Sequence, residues 1–348
     1  MNGETPMSAE PQRKPTLDNE TIVESVAASV WQQGVLELPQ PFRLESGQVL
    51  ESARLAWQCA GTADAPLIVA LGGISAHRRT CSAEGNGWWE SQCGSGKTLD
   101  TQHYRVLGID WLGGCDGSTG PGSHQAGQGQ EFPVVSTADQ ARALLLLLNR
   151  LGIRRVHLLV GASYGGNVAQ HLAALLGDRL RKLVLLSAAH CPAQFGLGLR
   201  HIQRAILDLG GETPEALALA RSLAVLCYRT TEGVEQRFAD DTSRDGVVGW
   251  LQHHGEKFSR RFDTAAYRCL GRSLDGHRID PETIRAPTTV FAVREDLTVP
   301  LSLLHEYVER AGGNCQLVEI SSAHGHDAFL KEEAAVSAIL AAALESST

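Results

Sequence analysis

Six short apolar runs, separated by helical patterns, are the feature that most constrains the fold of this 348-residue chain. Each run is rich in Leu or β-branched residues and ends at turn residues, which is typical of buried strands. The runs cover residues 65–71, 104–110, 156–160, 182–186, 288–293 and 315–320. Because these strands show no polar alternation, we expect an α/β fold: a mostly parallel sheet covered by helices on both faces.

Helical patterns over 136–151, 167–176, 301–311 and 328–344 fit this arrangement. The long stretch 190–285 does not, because it contains helical patterns over 214–228 and 264–275 but few strand candidates.

A long helical segment between two strands of one sheet is best explained as an inserted lid, the alternative being an independent domain. The predicted core therefore spans 41–189 and 286–348, and the lid spans 190–285. The polar residues 1–40 are predicted to be a disordered tail.

Composition narrows the classes of protein to consider. A hydrophobic content of 43% and a charged content of 20% are ordinary for a globular protein. The net charge of −8 argues against partners such as nucleic acid or an anionic membrane. No apolar run reaches the roughly 20 residues that cross a bilayer. The first residues lack the apolar region of a signal peptide, so a cytoplasmic location is expected.

The eight Cys residues include no C-x-x-C pair. That spacing argues against a structural zinc site or a thioredoxin-type motif, so no metal is expected. We expect free, mostly buried thiols.

A G-x-S-x-G motif at residues 161–165 places Ser163 between a predicted strand and a predicted helix. The motif is weak alone, but this strand–turn–helix context is the one that lifts a serine hydroxyl above a sheet as a nucleophile. The plainer alternative is a glycine-rich turn with an idle serine.

A serine hydroxyl needs a base to act as a nucleophile. In proteins with this turn the partners follow in the order acid, then His. We predict His326 as the base, because Gly325 and the following helix would hold its ring, with His324 as the competitor. We predict Asp296, after the strand at 288–293, as the acid, with Glu295 as the runner-up. A helix-capping or surface carboxylate is the structural alternative.

An oxyanion hole requires backbone N–H donors facing the nucleophile. The N–H of Tyr164, directly after Ser163, is the first predicted donor. The second should come from the glycine-containing loop after the strand at 65–71, where we predict Ile74, with Ser75 as the alternative.

Several motifs together resemble the homoserine O-acyltransferases of methionine biosynthesis, which have the α/β-hydrolase fold. The resemblance runs from about residue 41 to the C-terminus. It rests on GWWE at 87–90, GSGKTLD at 94–100, GSTGP at 117–121, ARSLAVLCYRT at 220–230, GEKF at 255–258, RFD at 261–263 and GHDAFL at 325–330. The chain departs from that family at Tyr164, where Met is usual, and in its unusually basic loop 75–79.

The resemblance implies ping-pong acyl transfer by a cytoplasmic homodimer that needs no cofactor beyond acyl-CoA as co-substrate. Ser163 would carry the acyl group, and His326 would activate the hydroxyl of L-homoserine. The acceptor-binding residues carry over as Arg221, Tyr228 and Asp327; an Arg suits the carboxylate of an amino acid and an Asp suits its ammonium. Arg221 could instead be a surface charge, and Asp327 could cap the last helix.

The sequence does not fix the acyl donor or the exact acceptor. Acetyl-CoA is favoured because it is the family's usual donor, with succinyl-CoA second, since Arg78 or Arg79 could clamp the free carboxylate of a succinyl group. They could equally contact CoA phosphates or solvent.

Serine differs from homoserine as acceptor by one methylene, which is worth only about 1–3 kcal/mol. An esterase or thioesterase would need the same triad without the acceptor site, and a binding protein with an inactive triad is the non-enzymatic alternative.

Overall fold

The computed structural model describes residues 22–26, 29–123, 131–240 and 245–345. Within them, one sheet contains nine strands in the order β1-β2-β3-β5-β4-β6-β7-β8-β9. The strands are β1 (Ile22–Val26), β2 (Ser29–Glu37), β3 (Arg54–Gly61), β4 (Leu67–Leu71), β5 (Arg105–Ile109), β6 (Leu158–Ala162), β7 (Leu183–Leu186), β8 (Thr288–Val293) and β9 (Cys315–Ile320). Two-residue pairs also join Phe42–Arg43 with Val49–Leu50 and Cys93–Gly94 with Leu99–Asp100.

The pairs from β5 through β4 to β9 are all parallel, whereas β1, β2, β3 and β5 pair antiparallel. Alternate residues of β4 face opposite sides: Val69 belongs to one apolar core and Ile68 to the other. This double burial explains the unbroken apolar runs. The predicted α/β architecture, a mostly parallel sheet with helices on both faces, is confirmed.

Ten α-helices lie in the described residues. They are α1 (Thr137–Arg150), α2 (Tyr164–Leu176), α3 (Gln194–Leu209), α4 (Pro214–Cys227), α5 (Thr231–Phe238), α6 (Gly246–Ser259), α7 (Thr264–Asp275), α8 (Leu301–Ala311), α9 (Ala328–Lys331) and α10 (Glu333–Glu345). Helices α1, α2 and α8 contribute to one core, and α9 and α10 contribute to the other. Ser136 caps α1 in a reciprocal box with Asp139.

Helices α3 to α7 all lie between β7 and β8, which are neighbours in the sheet. We call this segment the helical insertion. Its helices stand over the carboxyl ends of the parallel strands, because residues of α3, α4, α6 and α7 line the spaces next to Ser163, which directly follows β6.

The structure differs from the predicted disordered tail at 1–40. Ser29–Glu37 is a strand that pairs with β3 from Val30 opposite Gly61 to Glu37 opposite Arg54. Its mixed polar sequence, SVWQQGVLE, hides it from a search for apolar runs, although Leu36 is buried. Residues 1–21, 27 and 28 of that predicted tail lie outside the described residues.

The terminal helix predicted at 328–344 is interrupted at Glu332, whose backbone leaves the helical region. None of the described helices is both long enough and apolar enough to cross a bilayer.

All eight cysteines carry free thiols, and the sulfurs of Cys81 and Cys93 lie 2.9 Å apart in the core.

Candidate active site

Ser163 lies on a strained turn between β6 and α2, with a φ of +51°. Such a φ is uncommon for a residue with a side chain and persists only where the surroundings enforce it. Here they do: a Cβ on Gly161 would overlap the carbonyl of Gly165, and one on Gly165 would overlap that of Leu71. The two glycines of the motif therefore allow the strand and helix to approach closely enough to expose the hydroxyl.

The structure brings Ser163, His326 and Asp296 into one hydrogen-bonded chain. The Oγ of Ser163 lies 2.8 Å from Nε2 of His326, and Nδ1 of His326 lies 2.6 Å from Oδ2 of Asp296. The other carboxylate oxygen, Oδ1, accepts bonds from the N–H and hydroxyl of Thr298 at 2.8 and 2.9 Å and from the N–H of Val299 at 2.9 Å. The carboxylate is thus fixed, and it orients the imidazole.

The two competing residues have other partners. Glu295 accepts bonds from the hydroxyl of Ser321 and from the N–H of Ser322. His324 lies with Nδ1 3.2 Å from Nη1 of Arg229. Neither contributes to the chain that reaches Ser163.

The pKa of His326 is raised above its ordinary value of 6.5. Burial acts to lower it, but the ion pair with Asp296 outweighs burial, and the charge of Asp327 adds to the rise. An imidazole in this position can take the proton of the serine hydroxyl and can then be stabilised as the cation.

The loop after β4 faces Ser163. A Cβ built on Gly73 would lie 4.0 Å from that of Ser163, and the indole of Trp111 fixes the loop by donating to the Gly73 carbonyl at 3.2 Å. Ile74, the next residue, lines the space around Ser163, and so does Ser75. The loop that carries the predicted second oxyanion donor therefore lies beside the nucleophile.

Tyr164 supplies the first N–H of α2, which has no acceptor within the helix. Its side chain is fully buried, and its hydroxyl lies 2.8 Å from Oγ of Ser273 and 3.2 Å from the amide nitrogen of Gln140. The residue that departs from the family pattern thus connects the turn to α7 of the helical insertion.

Two spaces meet at Ser163. The first, which we call the open channel, is lined by residues that include Trp88, Lys257 and Arg261, and its volume is about 650 Å³. The second, which we call the inner cavity, is lined by residues that include Ser187, Arg200 and Leu303, and its volume is about 60 Å³. Both are lined by Ile74, Ser163, Tyr228 and His326. They run in different directions from the nucleophile, since none of their other lining residues is shared.

The three predicted acceptor-binding residues surround the open channel. The guanidinium of Arg221 lies 4.8 Å from the ring centroid of Phe258 and 5.8 Å from that of Tyr228. The ring of Tyr228 lies 5.2 Å from that of His326. Asp327 makes no side-chain bond to the end of α9, so capping does not explain it; its Oδ2 lies 2.8 Å from Nη2 of Arg229.

The channel wall formed by α6 and the residues after it is basic. Lys257 and Arg261 line it together with Arg221. Burial lowers the pKa of Arg261, and the nearby charge of Arg221 lowers it further. Cations held this close together favour an anionic ligand.

Arg229 is a residue that the sequence analysis did not single out. With its neighbours Tyr228 and Thr230 it forms what we call the clasp. The N–H of His326 donates to the Tyr228 carbonyl at 2.9 Å, the hydroxyl of Thr230 donates to the Ala323 carbonyl at 2.9 Å, and Arg229 pairs with Asp327. The clasp fastens the helical insertion to the loop that carries the imidazole, and nothing in the sequence pattern signals this contact.

Arg78 and Arg79 do not face either space that reaches Ser163. The guanidinium of Arg78 pairs with Asp110 and donates to the carbonyl of Asp116 at 3.0 Å, and its backbone N–H donates to Asp110 at 2.6 Å. These contacts hold the loop to the end of β5, so Arg78 has a structural role.

The buried Ser–His–Asp chain above the ends of parallel strands defines a protein of the α/β-hydrolase fold, and a family model described as alpha/beta hydrolase fold matches residues 66–333. A homoserine O-succinyltransferase of Xanthomonas campestris is 37% identical over 324 residues, which cover 90% of this chain and 84% of that protein. A homoserine O-acetyltransferase of Thermus thermophilus is 36% identical over 278 residues, covering 74% and 72%.

Among solved structures, a homoserine O-acetyltransferase of Staphylococcus aureus superposes with a TM-score of 0.80 at 26% identity, covering 91% of this chain and 96% of that one. The chain belongs to the homoserine O-acyltransferase family and is an acyltransferase.

Proposed function

We propose that this protein transfers an acyl group from acyl-CoA to the hydroxyl of L-homoserine, a step of methionine biosynthesis, through an acyl ester on Ser163. The observation that carries the proposal is the Ser163–His326–Asp296 chain at the end of a channel that presents Arg221 and Asp327. The names of the relatives support the acceptor, since they act on homoserine.

In the first half-reaction, Oγ of Ser163 gives its proton to Nε2 of His326 and forms a bond to the thioester carbonyl carbon. The negative oxygen of the tetrahedral intermediate accepts bonds from the N–H groups of Ile74 and Tyr164. The carbon–sulfur bond then breaks, and the leaving CoA sulfur takes the proton from His326. The products are free CoA and the acyl ester of Ser163.

In the second half-reaction, His326 removes the proton of the homoserine hydroxyl, whose oxygen attacks the ester carbonyl carbon. The bond to Oγ of Ser163 breaks, and the proton returns from His326 to that oxygen. The enzyme is restored and O-acylhomoserine leaves.

Recognition of the amino acid follows from charge. Arg221 binds the carboxylate of homoserine. The guanidinium of Arg221 is itself held in place by its contact with the ring of Phe258. The carboxylate of Asp327 binds the ammonium group of homoserine, and Arg229 holds that Asp327 carboxylate in its orientation. Tyr228, packed against His326, forms the wall between the two groups.

The decisive experiment measures CoA release from acetyl-CoA and succinyl-CoA, each with homoserine, serine or no acceptor. Release that depends on homoserine is the expected result. Fast release without acceptor would replace the proposal with a thioesterase, and release that depends on serine would change the acceptor. As a matched variant, Arg221→Met should raise KM for homoserine while leaving the formation of the acyl ester on Ser163 intact.

The rate should depend on pH through His326. Only the neutral imidazole accepts the serine proton, so activity falls as the pH drops through the pKa of His326. Because that pKa is raised, the acid limb of a kcat/KM profile should have its midpoint above pH 6.5. A midpoint at or below 6.5 would contradict the assigned base.

We also propose that two copies pair through the helical insertion as a homodimer. On α3, Phe195, Ile202 and Leu209 are exposed at seven-residue spacing, which places them on one face of the helix; Leu209 is 91% exposed. Leu219 of α4 is exposed as well. Apolar patches of this kind mark interaction surfaces.

The dimer can be tested by sedimentation. The protein should sediment as a dimer, and Ile202→Asp should shift it toward the monomer because a charge would be buried in the contact. Leu175→Asp, at an exposed leucine of α2 outside the helical insertion, is the control and should leave the dimer unchanged. A monomeric unmodified protein would rule out the pairing.

A further inference from the structure

The inner cavity has no assigned occupant. In the two half-reactions proposed above, the CoA sulfur leaves and the homoserine oxygen arrives beside the same nitrogen of His326, because one imidazole serves both proton transfers. The CoA part of the donor and the homoserine acceptor therefore occupy the same space, one after the other. The open channel is large enough for either of them. The acyl tail of the ester on Ser163 needs a second space, and the inner cavity is the one that remains.

The volume of the inner cavity is larger than an acetyl group would occupy. Its volume of about 60 Å³ is several times the roughly 10–15 Å³ that a cavity needs to hold one water. An acetyl group would place only a methyl there. Two methylenes and a terminal carboxylate would occupy more of that space.

The charges around the inner cavity are unbalanced. Arg200 donates from Nε to Asp275, and Nη1 of Arg204 lies 2.7 Å from the other oxygen of the same carboxylate. Within the described part of the chain no second carboxylate contacts either arginine, so one positive charge is in excess. Arg268, also in the lining, differs: it pairs with Asp208 at 2.7 Å and Glu212 at 3.0 Å.

Arg200 is the arginine best placed to use that excess. Its side chain is only 13% exposed, so its charge is weakly screened by water. With Nε committed to Asp275, the two terminal nitrogens of the guanidinium remain for a carboxylate, which matches their fork geometry.

A second, independent sign of a polar ligand comes from Ser187 at the end of β7. This residue is fully buried, yet among the described residues its hydroxyl has no hydrogen-bond partner. It lines the inner cavity, and so does the buried amide side chain of Asn167. A buried hydroxyl without a partner has lost its hydrogen bonds to water, and a bound polar group would replace them.

We propose that the inner cavity is the acyl subsite, and that Arg200 selects a donor whose acyl group ends in a carboxylate, such as succinyl-CoA, over acetyl-CoA. The proposal rests on the acyl-serine function proposed above and names its donor class. Arg200 is a specificity-determining residue in it, with the hydroxyl of Ser187 as a further donor.

The test compares kcat/KM for succinyl-CoA, butyryl-CoA and acetyl-CoA at fixed homoserine. Butyryl has nearly the length of succinyl without its charge, so it separates charge from size. We expect succinyl-CoA to be the best donor. In Arg200→Met the ratio of succinyl to butyryl should fall by about 10- to 100-fold, as expected for loss of a charge-assisted bond.

Two further variants guard against a merely structural effect. Arg200→Lys keeps the charge and should retain part of the succinyl preference. Arg268→Met removes an arginine of the same lining that is already paired with carboxylates, so the donor ratio should stay as it was. Turnover of butyryl-CoA by Arg200→Met would show that the site is still folded.

The proposal is overturned if the unmodified enzyme prefers acetyl-CoA or butyryl-CoA, or if Arg200→Met changes the succinyl to butyryl ratio less than threefold. Failure of the underlying function would look different: no donor would give homoserine-dependent release of CoA, whatever the ratio.

Discussion

Ser163→Ala should lower kcat for acyl transfer by a factor on the order of 10⁶, as expected when the nucleophile of a triad is removed. The effect follows from geometry, since Oγ of Ser163 lies 2.8 Å from Nε2 of His326 and alanine lacks that oxygen. The measurement is homoserine-dependent release of CoA, together with the mass of the intact protein after incubation with donor alone. No covalent adduct should form.

Ser46→Ala is the matched control, because Ser46 lies on an exposed turn with its hydroxyl near Gln48. It should react like the unmodified enzyme. An adduct that persists in Ser163→Ala would place the acyl group on another side chain and would refute the acyl-serine step.

Asp296→Asn should reduce kcat by about 10⁴-fold, because an amide can hold the wrong tautomer of the imidazole and cannot stabilise its cation. The loss should come with a lower acid-limb midpoint in the pH profile, since Asp296 is the group that raises the pKa of His326. Three donors from Thr298 and Val299 hold the carboxylate, so some loss of stability should accompany the change.

Glu295→Gln provides the comparison at the adjacent carboxylate. Its partners are Ser321 and Ser322, not His326, so the rate should change by no more than a few fold. Equal losses at both positions would mean that the loop, and not a specific carboxylate, supports the reaction.

The sequence predicted the parallel part of the sheet closely, because strands buried on both faces are apolar throughout. Strands β8 and β9 match their predicted bounds of 288–293 and 315–320. The antiparallel strands β2 and β3 were missed, because polar residues such as Gln32 in β2 and Gln58 in β3 interrupt their apolar pattern. Their pairing is set by contacts far apart in the chain, which local patterns do not contain.

Residues of the site were predictable where a motif fixes backbone geometry. Ser163 sits on the turn its flanking glycines require, and the chain order of acid and base singled out the residues that the structure brings together. The clasp and the inner cavity were not predictable. Arg200 and Asp275 meet only because α3 and α7 pack together, and no local spacing connects them.

The clasp has a consequence for how this enzyme can move and be altered. Tyr228 and Thr230 are hydrogen-bonded directly to the loop that carries His326. A rigid-body opening of the helical insertion would therefore move His326 away from Ser163. We therefore expect substrates to enter through an opening that is present without such a movement. By the same reasoning, a chimera that carries the helical insertion of a relative should be inactive unless residues 323–327 are exchanged together with it.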